Sequence, residues 1–296
     1  MGPRHPPAVR FVVSGDPPPA PPASGRGVRT ALAEAARSLA SVSDTPRLDA
    51  ELLMAHALGI SRDTLLLSRL DDSVPDSFAA LVARRFTHEP VAYITGRRAF
   101  WTIELGVGPG VLIPRPDSET LIEAAIAHFD GRAPERILDL GTGPGTLLLA
   151  ALDQWPAATG LGIDRSEVAL GYARANAERL GMAKRAQFRL GDWAEGIDGP
   201  FDLVLVNPPY IGTEESLPPE VREHEPAGAL FAGGDGLDDY RRIVPDLRRL
   251  VGATGIAVLE IGWTQAGAVS ALLAAQGFAT ATKNDLGGRP RAVIAS

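Results

Sequence analysis

From Asp117 to the C-terminus the chain alternates short apolar runs with segments of helical period, and this limits the fold more than any other feature. RILDL (136–140), ATGLGID (158–164), AQFRLGD (186–192), FDLVLVN (201–207) and TGIAVLEIG (254–262) read as strands. DSETLIEAAIAHF (117–129), GTLLLAALDQW (145–155), SEVALGYARANAERLG (166–181), DDYRRIVPDLRRLV (238–251) and TQAGAVSALLAAQG (264–277) read as helices, with a kink expected at Pro245. FATATKND and RPRAVIAS read as two final strands. Strand and helix in turn build a parallel, doubly wound α/β sheet, and such sheets bind ligands at the carboxyl ends of their strands.

The first part of the chain has a different texture. Val28, Leu32, Ala35 and Leu39 recur at helical spacing, and RLDAELLMAHALG follows Pro46 and ends on Gly59, a helix stop. Ser61 and Pro75 sit where two further helices would start. Residues 28–90 therefore read as a small helical bundle, marginal by itself. Residues 91–116, rich in aromatic, β-branched and glycine residues without helical period, read as a β-hairpin linker to the 117–296 domain. Residues 1–27 read as a disordered Pro/Ala-rich tail, without the long apolar stretch of a secretory signal.

Composition removes several classes of function. The 296 residues include no cysteine, so there is no disulfide framework, thiolate nucleophile or Cys-ligated metal. Five histidines are scattered without metal-ligand spacing, and no metal is expected. A net charge of -7 does not attract nucleic acid in bulk. No apolar run is long enough to span a membrane, and a cytoplasmic, monomeric protein is the default reading.

Three features stand at consecutive strand ends. Gly141, Gly143 and Gly145 follow RILDL directly and open a helix, where glycine lets the backbone turn tightly and approach a ligand. The spacing is neither that of dinucleotide binders nor a P-loop. Asp164 ends the next strand and can accept both hydroxyl hydrogens of a ribose, or cap the following helix. Asp192 and Trp193 follow the third strand. They can hydrogen-bond to an adenine and pack on it, or Trp193 can simply pack. In this order they describe a nucleoside site resembling the S-adenosylmethionine motifs of Rossmann-like methyltransferases.

After the fourth strand comes Asn207-Pro208-Pro209-Tyr210. Two prolines end the strand and supply no N–H, which leaves an amide side chain, bare carbonyls and an aromatic ring. NPPY resembles the motif of methyltransferases acting on planar amino or amide nitrogens. Such a nitrogen is a poor nucleophile, because its lone pair is delocalised. The Asn207 oxygen and the Pro208 carbonyl can each accept one of its N–H bonds and favour the positive charge it gains on attack. Tyr210 can pack on the planar group.

The resemblance extends beyond this superfamily. DAELLMAHALG, PVAYITGRRAFW, LIPRPDSE, ILDLGTGPG, GDW, NPPYI, Glu225-Pro226, GGDGLDDYRRI and GRPR occur in the order seen in the peptide chain release factor glutamine methyltransferases, from about residue 28 to the C-terminus. The resemblance implies a helical N-terminal domain, a β-hairpin linker and a seven-stranded, Rossmann-like class I methyltransferase domain; the helical domain is expected to dock the release factor, since a pocket for one glutamine cannot supply specificity alone. It implies methyl transfer from S-adenosylmethionine, leaving S-adenosylhomocysteine, to the glutamine side chain of the Gly-Gly-Gln tripeptide in class-1 release factors. By motif, Gly141, Thr142, Gly143, Pro144, Gly145, Asp164, Asp192, Trp193 and Asn207 would touch the cofactor. Asn207, Pro208, Pro209 and Tyr210 would hold the glutamine. Pro144 departs from the family's usual GTGTG or GTGSG and removes any cofactor contact from that backbone nitrogen. Arg115 would orient substrate or cofactor, or form a structural ion pair, and Asp117 would cap the next helix.

Three other readings compete. A family acting on a ribosomal-protein glutamine carries IPRSP where this chain has IPRPD. A DNA adenine methyltransferase shares NPPY but needs a basic cleft or recognition domain. A catalytically idle docking module would not require the cofactor motifs.

Overall fold

The computed structural model describes residues 27–296, so the tail expected over residues 1–27 lies, Gly27 apart, outside the described residues. The chain divides between His88 and Glu89 into two units.

The first unit holds four helices: α1 (Val28–Leu39), α2 (Pro46–Leu58), α3 (Arg62–Ser68) and α4 (Ser77–Phe86). The stripe on α1, Val28, Ala31, Leu32, Ala35 and Leu39, is buried. Pro46 opens α2 and Gly59, at φ 67, closes it in the left-handed region. Ser61 caps α3 by accepting the Thr64 N–H at 3.1 Å. An ion pair is buried in this unit: Arg85 Nε donates to Asp49 Oδ2 at 2.7 Å, both side chains being almost wholly buried. Asp49 also accepts from the Ser43 hydroxyl at 2.8 Å, so its charge is well solvated by protein.

The second unit begins with a short helix, α5 (Val91–Thr95), then a hairpin, β1 (Arg97–Phe100) and β2 (Ile103–Gly106). The strand-rich texture read over 91–116 thus yields strands only across 97–106. Pro90, in extended backbone, starts the helical turn of α5, and Gly96 at φ 72 ends it. A 3-10 turn at Pro116–Ser118 leads into α6 (Glu119–Phe129). Asp117 does not cap α6; it pairs with Arg291 at 3.0 Å.

The remaining elements alternate as read: β3 (Arg136–Leu140), α7 (Thr146–Gln154), β4 (Thr159–Asp164), α8 (Glu167–Arg179), β5 (Ala186–Leu190) and β6 (Phe201–Val206). They continue with α9 (Pro219–His224), α10 (Asp238–Leu250), β7 (Val251–Glu260), α11 (Ala266–Ala275), β8 (Thr280–Asn284) and β9 (Pro290–Ala295). The seven-stranded sheet has the order β5-β4-β3-β6-β7-β9-β8. It is mixed rather than wholly parallel, because β9 runs antiparallel to both β7 and β8. No helix separates β8 from β9, and a direct hairpin can only be antiparallel. Along the central strands alternate residues enter opposite cores. Ile137, Leu203, Leu205 and Val258 join α6, α7 and α8; Leu138, Leu140, Val204 and Leu259 join α10 and α11. α10 runs as one helix through Pro245, which lies on its exposed side, where solvent meets the carbonyl left without an N–H partner.

Removing Asp49 takes its ion pair with Arg85 and its hydrogen bond from Ser43 out of the buried centre of the unit. Asp49→Ala is expected to destabilise the helical unit by about 3–5 kcal/mol. Amide hydrogen exchange across residues 28–88 would register the loss, and unchanged protection there would contradict it.

Candidate active site

The sheet order places the site. The chain leaves β3 toward β4 and β5, then returns to pair β6 on the other side of β3. The segments after β3 and β6 diverge, and a crevice opens at their carboxyl ends. There a cleft of about 1070 Å³, counted to its open mouth, is lined by Asp139, Gly141, Thr142, Gly143, Pro144, Asp164, Asp192, Trp193, Asn207 and Pro209, among others. Nine of the sequence candidates (all of these but Asp139) thus meet on one wall.

The glycine loop is held by its own hydrogen bonds. Gly141 and Thr142 donate to the Ile163 carbonyl, each at 2.9 Å, Gly143 donates to Asp164 Oδ2 at 2.8 Å, and Gly145 donates to the Thr142 carbonyl at 2.9 Å. Pro144 has no N–H, and its carbonyl accepts from Asn176 Nδ2 at 2.9 Å. The loop therefore offers close approach rather than donors. Gly141, at φ 75, lies against Trp193, and a Cβ there would stand 2.9 Å from the indole ring. Gly145 is not on the cleft wall. A Cβ on it would meet Leu149 Cδ1 at 2.8 Å, so its place in the motif is explained by helix packing.

Asp164 is not the cap of α8. Ser166 takes that position and accepts the Ala169 N–H at 3.2 Å. Asp164 Oδ1 accepts the Ser166 N–H at 2.8 Å, while Oδ2 holds Gly143. Each carboxylate oxygen has a second lone pair available for a diol. Asp192 Oδ2 is bridged by Arg242 at 2.5 Å. Trp193 adopts φ 49, a left-handed conformation that is strained for a bulky residue. Its Nε1 donates to Asp239 at 3.1 Å, which fixes the ring at the cleft edge.

Asp139, which the sequence reading passed over, sits at the cleft floor. Oδ2 accepts from the Thr142 hydroxyl at 2.6 Å and the Leu148 N–H at 3.1 Å, while Oδ1 is buried without a partner. Burial raises its pKa to about 7, against the pull of those hydrogen bonds. A carboxylate inside an otherwise apolar strand, RILDL, is the signal that could have found it.

On the acceptor side, Asn207 Nδ2 donates to Ser118 Oγ at 3.3 Å, so its Oδ1 is turned toward other partners. Pro208 and Tyr210 are not on the cleft wall. Tyr210 lies behind it, its hydroxyl donating to Glu260 Oε1 at 3.2 Å and its carbonyl accepting from Gln265 at 2.9 Å. Burial, and then the nearby Glu260 charge, push the Tyr210 phenol up. Glu260 closes β7 and is fully buried, which raises its pKa to about 7 despite Ser118, Arg291 and Tyr210. Neither Ser118 nor Glu260 was singled out in the sequence, although Glu260 ends an apolar strand as Asp164 does.

Two of the remaining motifs, LIPRP and Glu225-Pro226, also line the cleft. Arg115 bonds to Glu225, whose other oxygen accepts the Ile113 N–H at 3.0 Å. Arg115 is thus a structural ion-pair residue tying LIPRP to Glu225-Pro226. Arg165 likewise donates to the Gly228 carbonyl.

These groups fit S-adenosylmethionine. The unpartnered Asp139 oxygen can accept from an amino group, the spare lone pairs of Asp164 suit a ribose, and Trp193 offers a face for adenine. Asn207 lines the same cleft beside Gly141, its main-chain carbonyl oxygen 3.8 Å from where a Gly141 Cβ would stand, and an acceptor nitrogen could meet its side chain there.

Known proteins are similar to this chain over most of its length. A family model described as the PrmC N-terminal domain matches residues 30–96, and one described as a methyltransferase domain matches residues 132–228. A release factor glutamine methyltransferase of Rhodospirillum rubrum is 44% identical over 260 residues, covering 85% of this chain and 79% of that one. One from Caulobacter vibrioides is 42% identical over 258 residues, covering 85% and 89%. One from Mycolicibacterium smegmatis is 41% identical over 276 residues, covering 91% and 97%. Among solved structures, the hMettl16 catalytic domain in complex with MAT2A 3'UTR hairpin 6 aligns with a TM-score of 0.54 at 14% identity, over 75% of this chain and 82% of that one, a likeness of fold alone. With that extent of identity across both units, the chain belongs to the release factor glutamine methyltransferase family.

Proposed function

We propose that this protein transfers a methyl group from S-adenosylmethionine to the side-chain amide nitrogen of the glutamine in the Gly-Gly-Gln tripeptide of class-1 release factors. One observation carries the reading beyond family membership. Asn207 stands on the same cleft wall as the glycine loop and Asp164, with its amide nitrogen engaged by Ser118 and its oxygen left to accept. Neither the ribosomal-protein nor the DNA alternative is favoured by the relatives. The reading places the enzyme in the cytoplasm, where release factors work, as a monomer that contacts neither membrane nor nucleic acid.

Bound S-adenosylmethionine supplies a methyl group on a positively charged sulfur and leaves as S-adenosylhomocysteine. The chain's own residues prepare the nitrogen. Asn207 Oδ1 and the Pro208 carbonyl accept the two N–H bonds of the glutamine amide, fix its plane and stabilise the positive charge it acquires. Once the new N–C bond forms, that nitrogen is acidic and sheds one proton without a strong base. Pro209 walls the pocket, and Tyr210 backs it. Asp164, Gly141, Thr142, Gly143, Asp139, Asp192 and Trp193 would hold S-adenosylmethionine.

A pocket for one glutamine cannot by itself tell a release factor from other proteins. A second contact area must supply specificity. We assign it to the helical unit, residues 28–88, where Leu67 on α3 is 86% exposed.

Three outcomes test the reading. Asn207→Ala is expected to lower kcat by about ten- to a thousandfold, read by mass spectrometry of the Gly-Gly-Gln peptide from purified release factor. Near-normal turnover would remove Asn207 from the chemistry. Asp164→Ala should weaken S-adenosylhomocysteine binding by about 1.5–3 kcal/mol in calorimetry, and an unchanged affinity would reduce Asp164 to a brace for the glycine loop. Leu67→Glu should raise KM for intact release factor about tenfold and leave cofactor affinity alone. A KM equal to that of the parent protein would move docking elsewhere.

A further inference from the structure

One long stretch of the sequence, GGDGLDDYRRI (233–243), contributes no residue to the cleft. It is nevertheless fixed to the strand ends that carry the cleft. Gly236, at φ 70, presses on the NPPY turn, and a Cβ there would stand 2.2 Å from the Tyr210 carbonyl oxygen. Asp235 accepts the Leu237 N–H at 3.1 Å just before α10 begins. Tyr240, wholly buried, donates to the Glu260 main-chain carbonyl at 2.6 Å. The first turn of α10 is thereby held to the segment after β6 and to the end of β7.

From this turn Asp239, 9% exposed, reaches back to the cleft wall. Its Oδ1 accepts the Trp193 indole N–H at 3.1 Å. That N–H is the ring's one polar group, and it can only donate. The far edge of the ring is held differently. Its Cζ3 lies 2.9 Å from where a Gly141 Cβ would stand, so glycine leaves the room it needs. Trp193 is thus pinned at two opposite edges, one by a hydrogen bond and one by contact. The backbone beneath it is at φ 49, and such strain in a bulky residue persists where the surroundings over-determine it. Contact with Gly141 alone does not do this, because a flat ring resting on one edge can still turn about its Cβ–Cγ bond. The hydrogen bond to Asp239 removes that freedom. Arg242, one turn further along α10, bonds to Asp192 Oδ2 at 2.5 Å and comes within 3.5 Å of Asp239. The Arg242–Asp192 pair is about half exposed, and exposed pairs contribute little. The weight falls on Asp239.

We propose that Asp239 is a positioning residue for the nucleoside site, acting through the Trp193 indole. It lies outside the cleft and serves by holding the ring face ready for adenine. The inference rests on the reading of Trp193 as the adenine wall and adds what keeps that wall in place. It also gives GGDGLDDYRRI its place beside the nucleoside motifs. A simpler role is open to the second residue of α10, namely a negative charge at a helix N-terminus. The two roles make different demands. A helix terminus needs the charge, whereas an indole N–H needs an acceptor at one point. Asparagine supplies the acceptor without the charge, and leucine, of similar volume, supplies neither.

Calorimetric titration of the full-length protein with S-adenosylhomocysteine tests this. Asp239→Leu should weaken binding about tenfold, the lower end of what a hydrogen bond to a charged group sustains. Asp239→Asn should stay within about threefold of the parent protein. Trp193→Phe keeps an aromatic ring, lacks the N–H and leaves α10 untouched. It should lose about as much as Asp239→Leu, and adding Asp239→Leu to it should cost less than about twofold more. In turnover, Asp239→Leu should raise KM for S-adenosylmethionine about tenfold, while kcat and KM for release factor move less than about twofold. The sequence contains four tryptophans, Trp101, Trp155, Trp193 and Trp263, so protein labelled with ¹⁵N-tryptophan shows four indole N–H signals. The signal lost in Trp193→Phe should exchange slowly in the parent and in Asp239→Asn, and faster in Asp239→Leu. Parent affinity in Asp239→Leu overturns the inference, as does a full further loss when Asp239→Leu is added to Trp193→Phe. A loss in Asp239→Asn as large as in Asp239→Leu overturns it too, and assigns Asp239 to the helix terminus. Should Asp239→Leu fail to fold, Trp193→Phe decides alone, and parent affinity there overturns the inference. Trp193→Ala binding like the parent instead brings down the adenine-wall reading, and the inference with it, while the indole signals still show whether Asp239 holds the ring.

Discussion

The arrangement depends on one topological constraint: β3 has β4 on one side and β6 on the other. Both neighbours are parallel to it, so the chain must reverse its direction of progress across the sheet after β5. At that reversal the segments after β3 and β6 leave the sheet on different courses, with Gly141 and Asn207 side by side at its edge. Packing cannot fill the gap, because each segment follows its own strand away from the sheet. The cleft lined by Gly141, Asp164, Trp193 and Asn207 lies in this gap.

Around it, polar side chains take over where regular structure stops. Asp164 joins the glycine loop to the start of α8. Asn176 accepts the Gly106 N–H at 2.7 Å and donates to the Gly106 and Pro144 carbonyls, binding the hairpin to the same loop. Arg291 joins Asp117 to Asp285, and Arg115 joins Ile113 to Glu225. These bonds connect segments far apart in the chain. They explain why LIPRPDSE, Glu225-Pro226 and GRPR belong with the nucleoside motifs although none of the three is a nucleoside motif.

Much of this was legible in the sequence, for reasons that can be named. Periodicity marks a helix such as α1 because one stripe must be buried, and it marks β6 because both of its faces are. Glycines, prolines and a terminal carboxylate mark Gly141, Pro208 and Asp164 because the backbone or the ligand requires those residue types. α5 was hidden because five residues are too few to display a helical period, and Val91, Tyr93 and Ile94 favour strands. The reversal of β9 left no trace in its own residues, since an apolar strand looks the same in either direction. Asp139, Ser118 and Glu260 escaped for another reason. Their significance lies in which lone pair faces which proton, and partners such as Ser118 and Asn207, or Tyr210 and Glu260, far apart in sequence, carry no spacing rule.

The glycine loop has a consequence for how the catalytic cycle is timed. Its four N–H groups are already bonded within the protein, and Pro144 locks one more torsion. The conformational entropy of the loop was therefore surrendered during folding, and a ligand arriving in the cleft has little left to freeze. A surface made in advance and without free donors also responds to shape and not to formal charge. A nucleoside lying against it would meet the same surface before and after the methyl group has gone. Telling fresh donor from exhausted donor would then fall to groups that sense charge at the sulfur rather than to the loop.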